Sequence, residues 1–266
     1  MSAKNKYPMN GKIEYNYNYK PKTSIIINYF TSVDTMIKTI NNLRTLGDEI
    51  EIIVNNDNHG KDSEKIMNSL KHRNDRMIIA NDLGEKRGYH QGAQISIASE
   101  FLIFTQDDDL APNNNQWYLD CLEEFKLDPE LGIIGLLKGG FKYGSNDCIT
   151  FTDQYKKKYV TWLATGPLII RKDLYFKING WSEEYSQIGE MDGGADADLT
   201  TKVVLSGYKA MLLRNDSVKE WKRRYQRGDG LTKNDLKNIR PRTERILLND
   251  KIYFNKFKDK GVYSIF

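Results

Sequence analysis

Three consecutive aspartates lie near the middle of the chain. Asp107, Asp108 and Asp109 come shortly after the apolar segment EFLIF (100–104). Adjacent carboxylates repel one another, and burying them is costly. Carboxylates at the end of a strand suit a hard divalent cation, which takes one or two of them and completes its shell with water and phosphate oxygens. The triplet therefore indicates either a divalent-cation site or an acidic loop that caps the following helix.

Alternating patterns surround this triplet. Short apolar and β-branched runs predict strands at 23–30, 49–57, 76–81, 101–104 and 131–137. Apolar residues at helical spacing predict helices at 32–46, 63–72 and 88–100. Strands separated by helices are typical of a parallel α/β sheet. Such sheets bind ligands beyond the carboxyl ends of their strands.

Polar residues lie at the ends of the first four predicted strands. They are Asn28 and Thr31, then the ranges 55–57, 81–82 and 107–109. Because parallel strands end at the same edge, we expect these residues to form one polar rim.

The second half continues the alternation. Segment 159–181 starts extended and is predicted to be helical over 171–178, and 195–213 gives a helix ending near Gly207 followed by a strand. We expect an N-terminal extension (1–22), a main domain (23–218) and a basic C-terminal extension (219–266). The C-terminal extension is predicted to be largely helical, with an interruption at Pro241, and to pack on the site or close over it.

The composition limits the classes of protein to which the chain can belong. Apolar residues make up 39% of the chain, enough for a sizeable core. No apolar run approaches the roughly 20 residues of a membrane span, and residues 1–22 lack the apolar core of a signal peptide. We expect a soluble cytoplasmic protein with at most peripheral membrane contact. Cys121 and Cys148 are expected to be reduced thiols.

Charge is unevenly distributed along the chain. The net charge is +4, but residues 219–260 hold 14 Lys or Arg against 6 Asp or Glu, a surplus of eight positive charges. This asymmetry suits a site that needs both a cation and an anion-binding flap. Alternatively, the basic end is a solvated helical surface or touches anionic lipid. We expect no nucleic-acid partner.

The aspartates sit within a longer pattern. The segment NDLGEKRGYHQGAQISIASEFLIFTQDDDLAP (81–112) resembles a signature of GT-A nucleotide-sugar glycosyltransferases, especially the family 2-like group. Segments 165–185 and 195–213 resemble the later part of that pattern, with a Gly–aromatic pair and then an acidic residue before a helix ending in Gly-Tyr. The resemblance covers roughly residues 22–215.

The resemblance implies a fold and an activity. The fold would be α/β, GT-A (Rossmann-like), with a mostly parallel central sheet flanked by helices and a C-terminal helical extension. The activity would be a metal-dependent, inverting transfer of a sugar from a nucleoside-diphosphate sugar to a hydroxyl of a glycan, glycolipid or glycoprotein. UDP is the expected donor nucleotide.

The resemblance also implies binding residues. The DxD motif corresponds to Asp107 and Asp109, which would hold Mn²⁺ or Mg²⁺ on the donor diphosphate. Asp57, at the end of the second predicted strand, would contact the base. The full set predicted to bind the nucleotide is Asn28, Thr31, Asp57, Arg87, His90, Asp107, Asp108, Arg224 and Arg227. For the two C-terminal arginines, an exposed basic face is the alternative interpretation.

The catalytic base is predicted where the family carries an acidic pair, commonly Glu-Asp. The chain has Ala195 and Asp196 there, so Asp196 is the candidate, with Asp192 and Glu190 as alternatives. A helix-capping role for Asp196 competes with this assignment. A further departure is that no histidine follows His90, so the C-terminal metal-binding histidine of some relatives is absent from this sequence.

Aromatic residues flank the predicted catalytic segment. Trp162, Trp181 and Tyr185 are candidates to stack on an acceptor sugar, although large aromatic side chains are more often part of a core.

Two other classes remain open. A sugar-1-phosphate nucleotidyltransferase would carry a glycine-rich basic loop after the first strand, where this chain has NYFTSVDTM (28–36). A non-catalytic nucleotide-sugar-binding module is the second alternative.

Overall fold

The computed structural model describes the greater part of the chain. The described residues are 20–136, 151–152, 158–160, 163, 165–186, 188, 197–213, 215–223, 247–257 and 259. The strands are β1 (Thr23–Tyr29), β2 (Ile50–Asn56), β3 (Arg76–Ile79), β4 (Phe101–Gln106), β5 (Asp109–Leu110), β6 (Leu131–Gly135), β7 (Phe151–Thr152), β8 (Lys158–Tyr159), β9 (Leu168–Arg171), β10 (Lys209–Leu212) and β11 (Lys222–Arg223). The helices are α1 (Val33–Leu43), α2 (Ser63–Ser69), α3 (Glu85–Ile95), α4 (Gln116–Leu127), α5 (Lys172–Lys177), α6 (Asp198–Leu205) and α7 (247–257).

A nine-stranded sheet forms the centre, in the order β3-β2-β1-β4-β9-β6-β10-β8-β7. Strands β1 to β4 run parallel to one another, as do β6 and β10. The expected α/β fold with a mostly parallel sheet is therefore confirmed. Strand β9 is the exception near the centre, because it pairs antiparallel with both β4 and β6.

The sheet is buried on both faces. In β1, Ile25 and Ile27 pack in the cluster that includes residues of α1 and α4, while Ile26 points to the opposite cluster with Tyr89 of α3. All three isoleucines are fully buried. Each such side chain stabilises the fold by about 1.5–3 kcal/mol relative to an exposed one. This two-sided burial explains why β1 is a continuous apolar run instead of an alternating one.

Helix α3 differs from its predicted range. We predicted a helix over 88–100, but α3 spans Glu85–Ile95 and the chain is extended from Ser96. The N–H groups of Ile97 and Ala98 donate to the buried carboxylate of Glu51 on β2, at 2.6 and 3.0 Å. This long-range contact ends the helix early, and local sequence does not encode it.

Helix α7 packs beside α6. The hydroxyls of Thr201 and Tyr253 lie 2.6 Å apart, and Phe257 is buried in the same cluster. Within the described residues, no helix has the length and apolar character needed to cross a membrane. Cys121 is a buried free thiol, and burial raises its pKa.

Candidate functional site

The carboxyl ends of β1, β2 and β4 form one polar rim. Asn28 of β1 lies in register with Asn55 on one side and Gln106 on the other. The three aspartates follow Gln106 directly, so they begin at the same edge as the asparagines.

Asp107 closes the loop between β1 and α1. Its Oδ2 accepts hydrogen bonds from the backbone N–H groups of Phe30, Thr31 and Ser32 at 2.9, 2.7 and 2.7 Å. The residue is 9% exposed. Three N–H donors compensate a buried negative charge, which partly explains how this acidic triplet is tolerated.

Asp109 is fully buried. Its Oδ2 accepts from the Thr105 hydroxyl at 3.1 Å and from the Gln106 N–H at 3.0 Å. Its backbone carbonyl accepts from the Thr39 hydroxyl at 2.6 Å. Asp109 therefore shapes the turn at the end of β4 from the inside.

Asp108 is the most exposed member of the triplet, since it is half-buried while Asp107 and Asp109 are buried. Beside it, the Gln106 side-chain amide donates to the Glu85 carboxylate at the start of α3.

Within the described ranges, no group of three or more His, Cys, Asp or Glu side chains has a metal-binding arrangement. Two carboxylates are enough for Mg²⁺ or Mn²⁺ when phosphate and water supply the remaining oxygens, so the donor set fits such an ion.

Asp57 shapes the loop between β3 and α3. Its Oδ1 accepts the N–H of Leu83 at 2.7 Å, and its Oδ2 accepts the N–H of Gly84 at 2.8 Å. Gly84 has a φ of 83°, in the region that glycine adopts without strain. Asp57 is 3% exposed, so it lines this loop from within.

Helix α3 approaches the rim closely at Gly88. A Cβ at this position would lie 2.3 Å from Asn28 Oδ1 and 2.4 Å from Asn55 Nδ2. The two amides are joined by a 2.7 Å hydrogen bond from Asn55 to Asn28. The predicted nucleotide residue Asn28 therefore supports α3, and only a glycine at position 88 permits this packing.

Arg87 and His90, the two residues of α3 predicted to bind the nucleotide, contact a different part of the chain. Arg87 bonds to the turn at 183–186, and Nδ1 of His90 lies 3.3 Å from the Tyr175 hydroxyl. Neither contact involves the aspartate triplet. Thr31, by contrast, does meet Asp107 through its backbone N–H.

The two described candidates for acceptor stacking are buried. Trp181 is 2% exposed and stacks on Tyr89 with ring centroids 5.1 Å apart. Tyr185 is fully buried, and burial raises its pKa. These are the contacts of core side chains.

Several predicted residues lie outside the described part of the chain. They are Trp162, Glu190, Asp192, Asp196, Arg224 and Arg227.

Asp198 organises the region just after the predicted base, a role that the sequence analysis missed. Its carboxylate is fully buried and accepts from the N–H and hydroxyl of Ser182 at 2.8 and 3.1 Å. Lys202, one helical turn later, lies 3.3 Å from the same carboxylate. The Asp–Lys spacing of four residues was the available sequence signal.

Phe30 was also missed. It follows β1 directly and is 48% exposed at the rim, next to the N–H groups that Asp107 binds. The signal for it in the sequence was an aromatic residue at the end of the first predicted strand.

The basic C-terminal segment begins beside the triplet. Strand β11 pairs antiparallel with β5, with Arg223 opposite Asp109 and Lys222 opposite Leu110. The buried ring of Trp221 packs edge-on against Trp117, with centroids 5.1 Å apart, and anchors this segment.

Comparison with known proteins identifies the fold. The family model described as glycosyl transferase family 2 matches residues 24–146. No curated protein matches the chain significantly in sequence. Among solved structures, S. aureus TarS 1-349 has a TM-score of 0.55 at 16% identity, over 74% of this chain and 59% of that chain. GalNAc-T7 with UDP, GalNAc and Mn²⁺ has a TM-score of 0.60 at 13% identity, over 92% of this chain and 50% of that chain.

A third similar structure is the mannosyltransferase PcManGT from Pyrobaculum calidifontis, in complex with GDP-Man and Mn²⁺. Its TM-score is 0.53 at 15% identity, over 92% of this chain and 77% of that chain. The chain thus spans about half of the GalNAc-T7 chain and about three fifths of the TarS 1-349 chain. The family match and the shared architecture confirm the resemblance predicted from the sequence: the chain has the GT-A fold, and residues 24–146, which carry the aspartates, match glycosyl transferase family 2.

Proposed function

We propose that this protein is a nucleotide-sugar glycosyltransferase that transfers a sugar, with inversion, to a hydroxyl group of a glycan, glycolipid or glycoprotein. The observation that carries the proposal is the position of the aspartate triplet. It follows β4 at the rim, and its first member binds the β1–α1 loop. The family match and the GT-A neighbours support a nucleotide-sugar glycosyltransferase.

The donor would bind across this rim. The loop held by Asp57 at Leu83 and Gly84 is the proposed nucleoside pocket, with Phe30 as its exposed aromatic wall. UDP is the proposed nucleotide. UDP is present in the GalNAc-T7 structure and GDP-Man in that of PcManGT, so both bases belong in the test.

A divalent cation is proposed at the triplet. Asp107 and Asp109 are the ligands expected from the resemblance, and the greater exposure of Asp108 adds it as a candidate. The ion would offset negative charge on the diphosphate leaving group. Mn²⁺ is present in the GalNAc-T7 and PcManGT structures.

Asp196 is the proposed general base. The acceptor oxygen would attack the anomeric carbon while its proton passes to the Asp196 carboxylate. The bond from the anomeric carbon to the diphosphate oxygen would break, and the nucleoside diphosphate would leave with that electron pair. A single displacement of this kind inverts the anomeric centre. Arg224 and Arg227 are proposed to bind the diphosphate, since guanidinium groups match phosphate oxygens.

A donor panel tests the proposed function. UDP- and GDP-sugars are each incubated with the protein and Mn²⁺, with and without a mixture of simple glycoside acceptors. We expect one donor to release nucleoside diphosphate faster with acceptor, and EDTA to abolish that release. The Asp196→Asn variant is expected to release nucleoside diphosphate much more slowly. Absence of binding to every donor by calorimetry would refute the proposal, and binding without turnover would indicate the non-catalytic module.

A further inference from the structure

Arg87 directs its guanidinium group at one short turn of the chain. Its Nη1 lies 2.5 Å from the Glu183 carboxylate, its Nη2 donates to the Glu183 carbonyl at 3.3 Å, and its Nε donates to the Ser186 carbonyl. The planar fork of arginine can make these contacts together, and a lysine cannot. We name residues 182–186 the acceptor-side turn, because in sequence they precede the stretch that carries the proposed base.

The same turn is bonded to the proposed nucleoside pocket. The Ser186 hydroxyl donates to the Leu83 carbonyl at 3.1 Å, and Ser186 is fully buried. The N–H of Leu83 donates in turn to Asp57. A continuous set of hydrogen bonds therefore links Asp57, through Leu83, to the acceptor-side turn.

The turn is held from its other side as well. Asp198, at the start of α6, accepts from the N–H of Ser182, and Asn249 of α7 donates to the Tyr185 carbonyl at 2.8 Å. Lys256 lies 2.5 Å from the Glu184 carboxylate. Helices α6 and α7 thus hold one side of the turn, and Arg87 of α3 bonds to its other side.

We propose that Arg87 is a positioning residue, which holds the acceptor-side turn against the nucleoside loop and thereby sets the geometry of the acceptor site. This deepens the proposed function and rests on it. It also differs from a direct contact between Arg87 and the donor diphosphate. The three bonds that Arg87 makes to Glu183 and Ser186 are the reason for preferring a positioning role.

Hydrogen exchange of the ligand-free protein tests the structural part without any activity. The variant is Arg87→Lys, which keeps the charge but loses the fork. The control is Arg73→Lys, an exposed arginine on the loop before β3. We expect faster exchange of the amides at 182–186 in Arg87→Lys only, with Tm close to that of the wild type. Unchanged exchange in this turn would overturn the proposal, even if the protein proved not to be a transferase.

Kinetics then separates positioning from direct donor contact. A misplaced acceptor site should lower kcat for transfer by at least about tenfold in Arg87→Lys, since small displacements are costly to catalysis. The Kd for UDP or GDP with Mn²⁺ should stay within about threefold. Glu183→Gln should shift kcat in the same direction but by less, because the two carbonyl bonds remain. A tenfold weaker Kd with normal kcat would instead make Arg87 a diphosphate ligand and overturn the proposal.

Discussion

Arg223 lies opposite Asp109 in a two-stranded antiparallel ladder. The backbone of the C-terminal segment is therefore paired with the backbone of the aspartate triplet. The sequence predicted that basic residues from this segment would serve the same site as the aspartates. The pairing brings the backbone at Lys222 and Arg223 beside Asp109 and Leu110.

Arg224 and Arg227 follow this ladder directly in the chain. If they bind the donor diphosphate, replacing either with alanine should weaken the binding of UDP or GDP by about 1.5–3 kcal/mol, the contribution of a hydrogen bond to a charged group. Calorimetry with Mn²⁺ measures this. Lys251→Ala is the matched control, because Lys251 is exposed on α7. Equal losses in all three variants would indicate a general charge effect and contradict specific contacts.

The triplet can be tested by three separate Asp→Asn changes. Asp108→Asn should remove most of the gain in nucleotide affinity that Mn²⁺ gives over EDTA, with little change in Tm, because this residue is half-buried. Asp107→Asn and Asp109→Asn should also lower the free energy of unfolding, by about 1–3 kcal/mol, because each accepts several hydrogen bonds inside the fold. Calorimetry and thermal unfolding give both readouts. If Asp108→Asn keeps the full gain in nucleotide affinity with Mn²⁺, the ion is assigned to Asp107 and Asp109 instead.

Local patterns were sufficient to predict most of the sheet. Strands β1, β2 and β4 are apolar runs whose burial on both faces requires that composition. The antiparallel β9 was not predictable in the same way, because its direction depends on how the chain returns from β6. The boundaries of α3 were missed for a related reason: the chain beyond its end is held by Glu51 of β2.

The polar rim was predictable, but the orientation of its side chains was not. The rule that ligands bind at the carboxyl ends of parallel strands places Asp57 and Asp107 at the rim. The carboxylates of Asp107 and Asp57 are oriented by hydrogen bonds from the backbone N–H groups of residues 30–32 and 83–84. No sequence pattern predicts these hydrogen bonds. Likewise, the partner of Arg87 lies far along the chain, at Glu183.

Phe30 offers a test of the nucleoside pocket. It is 48% exposed at the end of β1, and stacking of a base on an aromatic ring is worth about 1–3 kcal/mol in nucleic-acid complexes. Phe30→Ala should therefore weaken UDP or GDP binding by roughly fivefold to a hundredfold. Phe176→Ala is the control, since Phe176 is 41% exposed on α5. Unchanged affinity in Phe30→Ala would place the base elsewhere.

The hydrogen bond between Tyr29, at the end of β1, and Asp62 makes the stability of the protein depend on pH in the acid range. The Tyr29 hydroxyl donates to its carboxylate at 2.7 Å, and this hydrogen bond lowers the pKa of Asp62. A carboxyl group with a lowered pKa stabilises the folded state fully at pH values above the ordinary Asp pKa of about 3.9. This contribution is lost as the pH falls through the lowered pKa.

Tyr29→Phe should therefore destabilise the protein by about 0.5–1.5 kcal/mol at pH 7 and by less at pH 2–3. Urea unfolding at the two pH values measures the difference. Tyr118→Phe is the matched control, because the Tyr118 hydroxyl bonds to the Thr23 hydroxyl, 2.6 Å away, and to no carboxylate of the described residues. Its cost should not change with pH in this range. An equal cost of Tyr29→Phe at both pH values would contradict the role assigned to Asp62.

The last prediction concerns the catalytic base. Asp196 immediately precedes Ala197 and Asp198, and Asp198 is fixed to Ser182 at the start of α6. A general base contributes about 10²–10⁴-fold to turnover. Asp196→Asn should therefore lower kcat by at least about a hundredfold and leave the Kd for the donor within a few-fold, because the base contacts the acceptor more than the donor. A capping role predicts the opposite pattern, with stability lowered by about 1 kcal/mol and a nearly normal rate. Asp198→Asn supplies that comparison, since this carboxylate is buried and bonded to Ser182. If Asp196→Asn keeps its turnover while Asp192→Asn or Glu190→Gln loses it, the base lies a few residues earlier, and the position matched to the family's acidic pair must shift with it.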